Sequence, residues 1–118
     1  MIYQFTDKCS KLDASGIWQL IQNGLTKDVT IKSIKDKVPY TVNYVHQDVI
    51  SFSATTRNNA EPEVISRSDF ESVINKLKTL KSFNTNTAKE CFKGTRMYRK
   101  RSPFFALLLS SGVIEKVG

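Results

Sequence analysis

The sequence predicts an α+β domain: a small antiparallel sheet, made of a three-strand meander plus a terminal strand, packed with about four helices. Three patterns carry this expectation. Apolar residues recur at helical spacing in 12–23 and 67–80, they alternate with polar ones between 29 and 55, and an apolar segment near the end is framed by Ser102-Pro103 and Gly112. The chain has 118 residues. At that length residues 1–118 are expected to form a single domain, burying roughly 65% of the unfolded surface.

Along the chain, 1–6 reads as a first strand. In 12–23, Ile17, Leu20 and Ile21 share one helical face with Trp18 beside them, and Gly24 offers the C′ position that ends a helix. From Val29 the period changes to two. Val29 and Ile31 alternate with polar neighbours, Lys35-Asp36-Lys37 supplies a turn, and Val38, Tyr40, Val42 and Tyr44 fall on one face of a strand. Because Pro39 cannot donate to a ladder, that strand begins there or has an exposed side. A tight connection at Gln47-Asp48 leads to Ile50, Phe52 and Ala54, which completes the meander.

A polar loop over 57–62 precedes the most clearly marked helix. Ser66 is its cap with Asp69 at N3, Ile65 and Phe70 form a hydrophobic staple, and Phe70, Val73, Ile74 and Leu77 make the stripe of a helix over 67–80. A shorter helix is expected from Thr87, with Glu90 three residues on and Gly94 closing it. The next starts at Ser102 with Pro103 at N1 and stops at Gly112. A final strand follows over 113–117.

Apolar residues make up 40% and charged residues 25% of the chain, proportions of a globular protein rather than a disordered or fibrous one. The start lacks the features of a secretory signal, and the longest apolar run, 104–109, falls well short of the roughly 20 residues that span a bilayer. Cys9 and Cys91 have no close Cys or His neighbours. They read as reduced thiols of a cytoplasmic protein, with a single disulfide as the alternative.

The formal net charge of +7 is unevenly placed. Residues 1–80 hold 10 Lys and Arg against 9 Asp and Glu, whereas residues 81–118 hold 8 against 2. That asymmetry points to a polyanionic partner rather than to general solubility.

Catalysis finds little support in these residues. His46 is the sole histidine, at the end of a strand; Ser110-Ser111-Gly112 does not form a nucleophile elbow, and the five glycines build no phosphate loop. Glu61 with Glu63, or Asp69 with Glu71, are the nearest candidates for a metal-dependent nuclease, yet neither pair has the following lysine that would polarise a phosphate. In the bland reading the first pair is solvated and the second favours its helix N-terminus. The expectation is therefore a protein without catalytic residues, metal ligands or cofactors.

The stronger pattern is Lys89, Lys93, Arg96, Arg99, Lys100 and Arg101 with Phe92 and Tyr98 interspersed. Cations neutralise phosphates while aromatic faces stack on unpaired bases. This run enters the helix capped at Ser102, where free amides of the first turn suit a phosphate oxygen. The candidate nucleic-acid-binding residues are thus Lys89, Lys93, Arg96, Tyr98, Arg99, Lys100, Arg101 and Ser102. A solvated basic loop with Tyr98 packed inward is the bland alternative.

The last helix carries no polar side chain to read base edges, so it is expected to be buried, in the core or against another chain, and backbone recognition should exceed sequence readout. Lys27, Lys32, Lys35 and Lys37 could extend the surface, and Tyr40 with Tyr44 could form a stacking platform, core packing being the alternative. The leading expectation is non-catalytic binding of DNA, or secondarily RNA. The runner-up is an adaptor whose basic loop meets an acidic protein and whose apolar last helix holds a partner or a second copy, as in a homodimer; a nuclease is third. The general organisation resembles that of small DNA-associated accessory proteins of bacteria and phages, on no specific motif.

Overall fold

Alternation of apolar residues commits the middle of the chain to strands, and the computed structural model, which describes residues 2–25, 30–32, 39–55 and 58–117, pairs them as one antiparallel sheet. Its order is β2 (Thr30–Lys32), β3 (Pro39–Val45), β4 (Val49–Ser53) and β5 (Glu63–Ser66). The first three are the meander that the sequence predicts. Pro39 is the first residue of β3, the position where a missing N–H costs least. The expectations for Val29, the Lys35-Asp36-Lys37 turn, Val38 and Lys27 fall outside the described residues, as does the side chain of Lys32.

The fourth strand of this sheet is β5, not the terminal strand. Residues 63–66 have no apolar period to reveal them, since Ile65 alone is buried. Their strand character comes from pairing with β4, in the register Val49↔Ser66 to Phe52↔Glu63. The C-terminal strand β6 (Ile114–Lys116) pairs instead with β1 (Tyr3–Phe5), through Tyr3↔Lys116 and Phe5↔Ile114. Tyr3 also exchanges two backbone hydrogen bonds with Phe83, of 2.7 and 2.9 Å, so β1 lies between two chain segments.

A register shift between Val42 and Tyr44 divides β3. Val42 faces Phe52 across the ladder, whereas Tyr44 faces Ser51. One extra residue reverses which face every later side chain occupies. Tyr40 and Val42 are consequently buried, and Tyr44 stays exposed, its ring 4.4 Å from that of His46. The expected tyrosine platform does not form. Tyr40 packs edge-on against Phe52 in the core, on the opposite face from Tyr44.

Five α-helices accompany the sheets among the described residues: α1 (Asp7–Ser10), α2 (Ala14–Gly24), α3 (Arg67–Leu77), α4 (Lys89–Phe92) and α5 (Arg101–Ser110). In α2 the cap is Asp13, which accepts from the Gly16 amide. Gly24 is the last helical residue rather than a left-handed C′, because the chain leaves through an extended Leu25. The α3 reading holds at its start: the Ser66 hydroxyl accepts from the Asp69 amide, and Phe70, Val73, Ile74 and Leu77 are all fully buried. Trp18 meets Phe70 with ring centroids 5.1 Å apart, which joins α2 to α3.

Helix α5 departs from the sequence reading at its start. A short 3-10 turn, Tyr98–Lys100, runs directly into it, and no side chain caps it. Ser102 is its second residue and Pro103 its third, still within the first turn where a proline removes no helical hydrogen bond. Its end is as expected: Gly112 adopts φ +74°, and the Val113 amide donates to the Leu108 carbonyl in a Schellman closure. Residues Pro103 to Leu108 are buried against the sheets and other helices, with Phe104 touching Phe70, Phe92 and Phe105. The apolar helix belongs to the core of the monomer. Of its apolar residues, Leu109 alone is exposed. Cys9 and Cys91 are buried free thiols.

Candidate functional site

The basic run is shaped by two buried anchors and two turns. Phe92 and Met97 point into the core. Between them Gly94 adopts φ +80°, a conformation open to glycine. Thr95 closes the bend, its hydroxyl donating to the Phe92 carbonyl at 2.7 Å while accepting from the Met97 amide. Residues 93–101 therefore wrap over the core with Lys93, Arg96 and Arg99 outward.

One wall upstream was not anticipated. Asn84 Oδ1 accepts from the amides of Asn86 and Thr87, and Thr87 Oγ1 accepts from the Asn84 amide. This reciprocal arrangement is a capping box one turn earlier than the expected start at Thr87. Ala88 is the residue before α4 and caps nothing. Ala88, Cys91 and Phe92 turn inward, which leaves Asn86 and Lys89 on the outer side.

Between this wall and the start of α5 lies a cleft of about 410 Å3, lined by Thr85, Asn86, Lys89, Tyr98, Arg99, Arg101, Ser102 and Phe105. Five of the eight residues singled out from sequence thus meet around one space. Among the described residues no carboxylate lines it. The Arg101 guanidinium lies over the Tyr98 ring, 4.4 Å from its centroid, and Tyr98 remains 37% exposed. Arg101 Nη1 is buried without a hydrogen-bond partner, and no carboxylate among the described residues pairs with this side chain. The Ser102 hydroxyl shares a 3.0 Å hydrogen bond with Tyr40, a link from the cleft to the sheet.

The other three residues lie outside the lining. Lys93 pairs with Glu90 at 2.8 Å, and that hydrogen bond holds its ammonium above the ordinary lysine range. Arg96 pairs with Asp69 at 3.1 Å across to α3. Lys100 donates to the Val64 carbonyl at 2.6 Å, tying the 3-10 turn to the edge of β5. Glu90, within the run itself, and Asp69, remote on α3, thus moderate two of the charges.

Of the carboxylates considered for metal chemistry, Asp69 and Glu71 have structural partners. Asp69 pairs with Arg96, while Glu71 accepts from Arg67 Nε at 2.7 Å. The same arginine reaches Ser15 on α2. Among the described residues no three His, Cys, Asp or Glu side chains gather as metal ligands would, and no helix is long and apolar enough to cross a membrane.

The chain matches no family model, no curated protein and no solved structure. What the cleft can bind follows from its own geometry and charge. Three cations, an aromatic ring and small polar side chains suit an anionic ligand with a planar group.

Proposed function

We propose that this protein binds nucleic acid, DNA in the first place, through the cleft and its basic rim, without chemical turnover. The observation that carries this reading is the acid-free lining in which Lys89, Arg99 and Arg101 accompany Tyr98. Cations on a nucleic acid displace condensed counterions, so affinity is driven by salt release, and an adjacent aromatic ring adds contact with bases. Arginine suits phosphate further, because its planar fork gives paired hydrogen bonds and is weakly hydrated. Lys93, Arg96 and Lys100 extend the positive rim outside the lining.

The test is a titration of a mixed-sequence oligonucleotide across salt concentrations. With about four phosphate contacts, the slope of log affinity against log salt is expected near −3.6 on duplex DNA and near −2.8 on a single strand. Replacing Lys89 and Arg99 together by Ser should reduce the magnitude by about 1.8 or about 1.4 respectively while the fold is retained. Absence of binding at low salt, or a slope unchanged in the double variant, removes the proposal.

A further inference from the structure

A duplex and a single strand make different demands on a protein surface. Duplex recognition needs a projecting element, such as a helix that enters a groove about 12 Å wide, or a continuous positive face that follows two backbones. Helix α5, next to the basic run, is unsuited to projection because Phe104 to Leu108 are buried. What the surface presents beside it is concave. The cleft there measures about 410 Å3 and lies open to the surface.

The lining divides by chemistry. Lys89, Arg99 and Arg101 answer a phosphate, whereas the Tyr98 ring answers the face of a base and the Asn86 amide and Thr85 hydroxyl can answer its edge. Paired bases inside a duplex cannot reach such a site. Arg101 adds a second observation: it lines the cleft with its guanidinium over the Tyr98 ring, and among the described residues no carboxylate pairs with it. A cation without an acidic partner favours an anion at the same place.

We infer that the cleft holds one nucleotide of a single strand, with its phosphate at Arg101, Arg99 and Lys89 and its base against Tyr98 between Asn86 and Thr85. This rests on the nucleic-acid reading and adds strandedness and a base-binding contact to it. Backbone cations alone would make a duplex, with its higher charge density, the better ligand. A stacked, unpaired base reverses that order.

The experiment is fluorescence anisotropy with one labelled oligonucleotide, alone and annealed to its complement, at equal salt. The single strand should bind at least about tenfold more tightly, and Tyr98→Ala should remove about tenfold from the single strand while changing duplex affinity little, in line with the worth of one stacked base. Circular dichroism verifies that the variant is folded. Asn86→Ala, at an exposed turn position, provides a second reading and should weaken the single strand by several-fold. Equal or tighter duplex binding, or a single-strand affinity indifferent to both substitutions, overturns the inference and leaves nucleic-acid binding standing. Loss of binding to both forms in the wild type overturns the broader reading as well.

Discussion

Trp18 is fully buried, and its indole N–H nevertheless finds a partner in the Gln47 carbonyl at 2.8 Å, so a large apolar side chain enters the core without stranding a donor. Burial acts differently on Tyr3 and Cys91. Desolvation raises both above their ordinary values, for Cys91 against a smaller opposing effect of Lys76. The folded state then holds these protons more tightly than the unfolded chain. Stability from this source is complete below the unfolded pKa and declines as pH rises through the folded one. For Cys91 the decline begins near its ordinary value of 9.0 and for Tyr3 near 10.0. Thermal melts should be level around neutrality and fall in alkali, with Cys91→Ala removing the earlier part and Tyr3→Phe the later. Melting temperatures unaffected through about pH 10.5 would contradict the assignment.

At the level of elements, α5 has no polar stripe and is stable only where apolar surface surrounds it. Leu108 is fully buried in its middle. Leu108→Asp removes that burial and adds an unpaired charge, a cost of at least about 4 kcal/mol against the roughly 5–15 kcal/mol that holds a domain together. The variant should be largely unfolded in urea titration and poorly soluble. A folded variant of altered mass in light scattering would instead assign the helix to an interface. The sheet shows the reverse dependence. β5 buries little of its own and is held by β4 on one side and by Lys100 at the Val64 carbonyl. That lysine also discourages edge pairing with another chain.

Across the whole molecule, the positive charge concentrated in residues 81–118 acts as a field shaped by the acids that face it. Glu90, adjacent to Lys89 and paired with Lys93, is exposed and lowers the potential near the cleft. Glu90→Gln should therefore tighten binding to a labelled single strand several-fold at about 50 mM salt, and the gain should shrink as the screening length falls to about 3 Å at 1 M. An affinity unchanged at low salt would mean that the ligand lies elsewhere on the surface.

The periods of three to four and of two were enough to assign the α+β class, the meander and α3, because each is a local pattern with one buried face: Phe70, Val73, Ile74 and Leu77 on the helix, Ile50 and Phe52 on the strand. The Gly112 closure is equally local. The partner of β6, the strand at 63–66 and the reversal of Tyr44 required the fold, since pairing and register are chosen by distant segments. The cleft shows the same division. Its cations and Tyr98 are close in the chain and legible there, whereas the Asn84 to Thr87 capping box was not, since the sequence pattern points to Thr87 with Glu90. That Thr85 and Asn86 face Arg101, that Asp69 takes Arg96 and that Ser102 bonds to Tyr40 rather than capping a helix are contacts between segments remote in sequence. Sequence determined which side chains carry charge and which seek burial; tertiary packing alone decided which of those charges share a space, because that depends on how the anchors Phe92, Met97 and Phe105 meet in one core.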